Sequence, residues 1–328
     1  KIYYANSLNG RHPFEVITYY NQPALEQLAY IGGEIVNQAF DPVVAAMHSR
    51  IYDYAPKIGG TSAEAFPSGF WQMNYSPLAL YRKDNWVATI KGINNDFWAT
   101  ETYSSDNRYG RYQGYGALEI LYPSVYGQKL KPSGMMLEGW DWNKPPGTTT
   151  IVYPYDSLSL KGTVTDISER NALNFAGGVK FGEPSETSSS DVLLQELQGE
   201  YGMYGLNFQQ INYTITHSST FTFRKSWFCF GKKIVCLGSN INNNRSWRNT
   251  ITTLFQTSLS STSTPVIVDA ASKTAFPLSE SLSQSDAHWI IDPFKTGYYI
   301  LSGSNVQIEK KSQTSPDESG SGATTTAD

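Results

Sequence analysis

Thr220 to Ser239 reads TFTFRKSWFCFGKKIVCLGS, and the fold class turns on this stretch. Aromatic and β-branched residues recur at every second position on both sides of Gly231-Lys232. Such alternation is the mark of strands with one buried face. Gly231-Lys232 between the two runs predicts a tight hairpin turn. That register sets Cys229 opposite Ile234, which leaves Cys229 and Cys236 diagonal and poorly placed to bond. Two buried free thiols are therefore expected.

Working outward, the same period appears in WVATIKGIN from Trp86, YGALEILY from Tyr115 and TTTIVYP from Thr148, each bounded by Gly, Asn, Ser or Pro. From Phe66 onward this predicts a long antiparallel β region. Before it, residues 23–54 carry a helical pattern. Pro23 suits a first turn, Leu25, Leu28 and Ile31 fall at three-residue spacing, and Gly32-Gly33 is a stop. Asp41 and Pro42 then open a second helix with Val43, Val44, Met47 and Ile51 on one face. The tail after Lys310, KSQTSPDESGSGATTTAD, is polar and rich in Ser, Thr and Gly, and reads as a disordered linker or a cut loop.

Composition limits the function classes. The 328 residues are 40% hydrophobic and only 16% charged, which argues against a coiled coil or a disordered chain. Two Cys cannot make a disulfide scaffold. A net charge of −4 supplies no global field for nucleic acid or an anionic membrane, and no apolar run approaches the ~18 residues needed to span a bilayer. Neither partner is expected. Lys1 is not Met and no signal pattern follows it, as in a chain processed or cut from something longer. Phosphate-loop, zincin, hydrolase-elbow and paired-Cys zinc motifs are missing, and His12, His48, His217 and His288 lack metal-ligand spacing.

Three segments combine charge, aromatics and Gly or Pro punctuation: NGRHPFE at Asn9 to Glu15, NNDFWATETYSSDNRYGRYQGYG at Asn94 to Gly116, and MLEGWDWNKPPGTTTI at Met136 to Ile151. Flat aromatic faces suit the C–H faces of sugars, while Asn, Arg and Glu bind hydroxyls and carboxylates with fixed geometry. Trp98 is one such face. Arg108 and Arg111 offer planar forks to carboxylate or sulfate groups, unless Asp106 neutralises one of them in a surface turn. Glu101 is either a pocket carboxylate or an outward strand residue. Most Trp and Tyr can equally fill the inner faces of a large sandwich. On these grounds an enzyme, a non-catalytic carbohydrate-binding module and a scaffold β domain all stay open.

The same segments carry a resemblance. NGRHPF at Asn9 to Phe14, FWATETYSSDNRYGRYQGYG, EGWDWNKPPGTTTI from Glu138, LQGEYGM from Leu197, CLGSNINNN from Cys236 and TTLFQ at Thr252 to Gln256 occur in the order found in polysaccharide lyases of the chondroitinase ABC type. That family is related to chondroitin AC, hyaluronate and xanthan lyases. The resemblance implies a mainly β fold, a large antiparallel β-sandwich preceded by the last helices of an α/α toroid. Residues 1–58 would be the toroid remnant, 59–310 the central sandwich and 311–328 a linker. The chain would then be a portion of a larger lyase, secreted or periplasmic in a bacterium.

It also implies cleavage of uronic-acid-containing glycosaminoglycans by β-elimination. The family's catalytic Arg falls on Arg11 and its catalytic Glu on Glu101, with Asn9, His12, Trp98, Arg108 and Arg111 as substrate contacts. The family's His and Tyr lie well upstream of its GRHPF motif, so no residue before Arg11 matches that pair. Activity of this chain alone is then expected to be very weak. An acidic polysaccharide (chondroitin sulfate, dermatan sulfate or hyaluronan) and the remainder of the toroid are the implied partners. Some relatives respond to calcium, but no contiguous oxygen-ligand loop marks a site for a divalent cation.

Overall fold

Alternating aromatic and β-branched residues build an almost entirely antiparallel architecture. The computed structural model describes residues 13–14, 68–73, 77–96, 107–123, 131–158, 173–182, 198–210, 221–319 and 323–328. Of the expected toroid remnant only Pro13 and Phe14 are among them, and the helical pattern at 23–54 lies outside them.

The first eleven strands are β1 (Gly69–Met73), β2 (Leu78–Lys83), β3 (Trp86–Lys91), β4 (Ala117–Leu121), β5 (Thr149–Ile151), β6 (Phe175–Phe181), β7 (Gln198–Gly199), β8 (Tyr201–Gln209), β9 (Thr222–Phe230), β10 (Lys233–Asn242) and β11 (Thr250–Thr252). One sheet runs β4-β3-β2-β1-β7, a second runs β10-β9-β8-β6, and β5 pairs with β11. Along β8 the odd residues face out, while Gly202, Tyr204, Leu206 and Phe208 are buried against the first sheet. The approach is close. A Cβ at Gly202 would sit 2.1 Å from the Phe70 ring, so only glycine lets the two sheets meet there.

The hairpin of β9 and β10 has the expected register, with Cys229 opposite Ile234. Gly231 turns it at φ 55°, and the Tyr81 hydroxyl from the first sheet donates to the Gly231 carbonyl at 2.7 Å. Both cysteines are free, but only Cys229 is buried. The expectation for Cys236 fails because β10 is the edge strand and is exposed along nearly its whole length. Between the sheets the core is aromatic: Tyr115 lies 4.2 Å from Phe208, which stacks on Phe223 at 4.7 Å, and Trp227 is 2% exposed.

Residues beyond Thr264 form a smaller unit rather than a continuation of these sheets. Its strands are β12 (Val266–Val268), β13 (Ala271–Lys273), β14 (Leu278–Leu282), β15 (His288–Ile291), β16 (Gly297–Ile300) and β17 (Val306–Lys310). They order as β13-β12-β15-β16 and β14-β17, around a separate core of Val266, Val268, Ile290 and Ile308.

The tail read as a linker is instead a strand pair, β18 (Gln313–Pro316) with β19 (Thr324–Ala327). Backbone pairing and distant partners order it. The Trp142 indole donates to the Pro316 carbonyl at 2.9 Å, the Arg108 amide to Glu318 at 3.0 Å and the Leu259 amide to Asp328 at 2.9 Å. Among the described residues no helix is long and apolar enough to cross a membrane.

Candidate functional site

The segment Glu138 to Ile151 is the hub on which the other motifs converge. Trp140 and Trp142 are 4% and 1% exposed, and the Phe14 ring meets both edge-on, at 5.5 and 5.4 Å. Edge-to-face contacts of this kind add about 0.5–1.5 kcal/mol each beyond area burial. Beside them the Lys131 ammonium donates to the Pro13 carbonyl at 2.6 Å and forms a fully buried ion pair with Glu119 at 2.9 Å. Burial pulls Lys131 below the ordinary lysine range, with Glu119 opposing the shift. Two independent contacts therefore fix the end of the NGRHPF motif.

The rest of the segment is scaffold. The Asn143 carboxamide accepts from the Tyr153 amide at 2.9 Å and donates to its carbonyl at 3.0 Å. Gln256 accepts from the Asp141 amide at 2.8 Å and donates to the carbonyls of Asp141 and Lys144, which ties TTLFQ to EGWDWN. Gly147, at φ 80°, is hemmed in by β4, since a Cβ there would lie 2.3 Å from the Leu118 amide nitrogen. Its carbonyl accepts from the buried Lys225 ammonium. Burial pulls that lysine down to about 7, with Cys236 opposing.

The second motif packs on the first. After Asn107 and Tyr109, Gly110–Gly114 forms a short 3-10 helix whose residues are all buried. Tyr109 lies 5.8 Å from Trp142 and 6.2 Å from Tyr155, and the Tyr112 hydroxyl donates to the Ile151 carbonyl at 2.6 Å. For Tyr109, Tyr112, Tyr115, Trp140 and Trp142, the sandwich-filling reading of the aromatics is the one observed.

The sequence-predicted site residues fare differently. Asn9, Arg11, His12, Trp98 and Glu101 lie outside the described residues. Arg108 is half-buried at the junction with the tail. Arg111 is 2% exposed, so it is a core arginine rather than a surface fork. Its charge bears on Tyr153. Burial pushes the Tyr153 hydroxyl above the usual phenol range, and Arg245, Arg111 and Arg248 all act against that shift. The Arg248 guanidinium lies 5.7 Å over the Tyr153 ring, and Arg245 lies 5.6 Å over Trp247. Sequence reasoning missed this cluster. Its only signal was the short run RSWR at Arg245 to Arg248 after an Asn-rich strand. Among the described residues no group of three His, Cys, Asp or Glu side chains converges as a cation site would need.

Comparison with known proteins places these motifs. The family described as "Polysaccharide lyase family 8, super-sandwich domain" matches residues 66–185 and 196–321. The chain is 30% identical over 317 residues to the chondroitin sulfate ABC endolyase of Proteus vulgaris, covering 94% of this chain and 28% of the relative. Among solved structures, a Paenibacillus xanthan lyase superposes with a TM-score of 0.64 at 17% identity, covering 93% of this chain and 29% of that one. A chondroitinase AC lyase superposes with a TM-score of 0.62 at 22% identity, covering 94% and 39%. The chain thus spans less than a third of the length of the curated relative.

Proposed function

The chain belongs to polysaccharide lyase family 8, and from that premise we propose that it carries part of the active site of a glycosaminoglycan lyase acting by β-elimination. Such an enzyme removes the C5 proton of a uronate, expels the 4-linked oxygen and leaves an unsaturated sugar. That proton is too weakly acidic unless the neighbouring carboxylate is neutralised and the developing charge is met by positioned donors.

In this reading Arg11 faces the bridging oxygen and lowers the pKa of the acid, and Glu101 orients and balances the cationic partners. The general base and acid are the family's His and Tyr, supplied from upstream of Arg11. Asn9, His12, Trp98 and Arg108 contact the sugar chain. The observation that supports this most is the anchoring of Pro13 by Lys131 and of Phe14 by Trp140 and Trp142, two and three residues past Arg11. A catalytic guanidinium needs such a fixed base, because placement within about 1 Å governs rate. A relative named for chondroitin sulfate supports an acidic polysaccharide as substrate. A polymer of that size would place the whole enzyme outside the cytoplasm.

The test is ultraviolet detection of the unsaturated product from chondroitin sulfate. This chain alone should turn over weakly or not at all, and adding the upstream toroid should bring activity. In the combined protein Arg11→Ala and Glu101→Gln should each lower kcat by about 10²-fold or more. Vigorous turnover by the chain alone would remove the upstream His and Tyr from the mechanism, and undiminished turnover in Arg11→Ala would remove Arg11.

A further inference from the structure

We propose that the turn between β10 and β11 is a subsite for an acidic sugar, in which the Trp247 indole stacks on the ring and Arg245 and Arg248 hold its carboxylate or sulfate. The choice of ligand rests on the function proposed above.

Trp247 is 68% exposed and Trp289 58%, whereas Trp140, Trp142 and Trp227 are each under 5%. What sets Trp247 apart is its cationic flank: Trp289 pairs with Tyr299 at 4.6 Å, whereas Arg245 lies 5.6 Å over the Trp247 ring. The turn that presents it is rigid. The Asn243 carboxamide donates to the Arg248 carbonyl at 3.2 Å and to the Thr250 hydroxyl at 3.0 Å, and accepts from the Arg245 amide at 2.9 Å. The Arg248 amide donates back to the Arg245 carbonyl at 2.9 Å. A platform ordered in advance loses little entropy when a ligand arrives.

Charge selects the ligand. No Asp or Glu occurs anywhere from Tyr201 to Val268 in a chain of net charge −4; of the cations there, Lys232 pairs with Asp84 at 2.7 Å and Lys225 is buried, while Arg224, Arg245 and Arg248 lie at least partly at the surface. Two of those arginines flank the exposed indole, with Arg245 5.6 Å from its ring. A flat apolar face beside planar cationic forks matches a pyranose that bears an anion. The turn also continues the motif hub, since Arg248 lies on Tyr153 and the Val152 amide donates to the Asn249 carbonyl at 2.9 Å.

Calorimetric titration of the chain with chondroitin sulfate oligosaccharides, with an alginate oligosaccharide as another uronate polymer, and with neutral dextran tests this. Chondroitin sulfate should bind and dextran should not. Trp247→Ala should weaken binding by about 3- to 10-fold, Trp247→Tyr should restore most of it, and Arg245→Gln with Arg248→Gln should flatten its salt dependence. The exposure of Trp247 keeps its variants folded, and thermal melting by circular dichroism checks the fold of the double arginine variant, whose side chains lie by Tyr153. If Trp247→Ala binds chondroitin sulfate like the parent, the subsite is wrong and the lyase reading stands. If only alginate binds, with the same dependence on Trp247, the subsite stands and the glycosaminoglycan reading falls. Binding of no acidic polymer, or equal binding of dextran, overturns the subsite.

Discussion

The paired sheets and the smaller unit of β12 to β17 hold themselves together with different material. The core of the larger unit holds whole aromatic side chains, Trp142, Trp227, Tyr115, Phe208 and Phe223 among them. The smaller unit buries only Val266, Val268, Ile290 and Ile308 as its apolar centre. In place of volume it uses polar clamps. Asp269 accepts from the Trp289 amide at 2.8 Å and faces His288 at 2.7 Å, while Asp292 accepts from the amides of Phe294 and Thr296 and from the Tyr298 hydroxyl. An aromatic core tolerates long connections, because its burial energy does not depend on local turns. A small unit depends on its turns, and short-range carboxylates hold them.

That contrast can be broken where it is largest. Trp142→Ala removes the ring under Phe14 and the donor to Pro316, and should lower unfolding free energy by about 3–5 kcal/mol in guanidinium titration. A loss below 1 kcal/mol would mean the aromatic core is not the principal support. Lys131→Met comes next. It strands Glu119 as an uncompensated buried charge, for which about 3 kcal/mol or more of destabilisation is expected, and adding Glu119→Leu should recover most of it. A double variant no better than the single one would mean that the loss of the Pro13 contact, and not the stranded Glu119 charge, causes the destabilisation.

A local pH dependence is expected around His288 in the smaller unit. Both ring nitrogens of His288 face acceptors, the Asp269 carboxylate and the Ser283 carbonyl, which suits a protonated ring. The Asp269 hydrogen bond, ahead of that to Ser283, holds His288 above its ordinary value. The same bond holds the Asp269 carboxyl below the usual range. Stability from a raised histidine is complete below its unfolded pKa and is lost as pH rises through the folded one. Stability from a depressed carboxyl is present above its unfolded pKa and is lost as pH falls through the folded one. Protection of the Ile290 and Ile291 amides, taken relative to their intrinsic exchange rate at each pH, should therefore fall on both sides of a mildly acidic window, and His288→Gln should remove the alkaline side. A flat parent profile would undo the assignment. The smallest effect is expected at Trp289, 58% exposed and paired across the strands with Tyr299 at 4.6 Å, where Ala should cost about 1 kcal/mol.

Much of the scaffold was legible in the residues and less of the site. The hairpin register followed from Gly231 and the alternation around it, and the motif order pointed to the family. The exposure of Cys236 was not legible, because whether a strand lies at an edge depends on which others join the sheet. The strand pair of the tail was hidden for a related reason. Gln313–Pro316 and Thr324–Ala327 carry no apolar period, and the indole and amides that hold them come from residues far away in sequence. Arg111 read as a surface fork since a charged side chain in a Gly-rich segment usually is one. Arg245, Trp247 and Arg248 were passed over because four residues show no periodicity.

The sequence by itself determined the antiparallel class, the turn at Gly231 and the family. All of these are carried by neighbouring residues, through alternation, turn chemistry or an uninterrupted motif. Only the tertiary structure decided that Trp142 is core and Trp247 surface, that Lys131 holds Pro13, and that a polar tail becomes a strand pair. Burial is a property of what packs across from a residue, and partners such as Phe14 and Pro316 for Trp142, or Pro13 for Lys131, stand more than a hundred positions away.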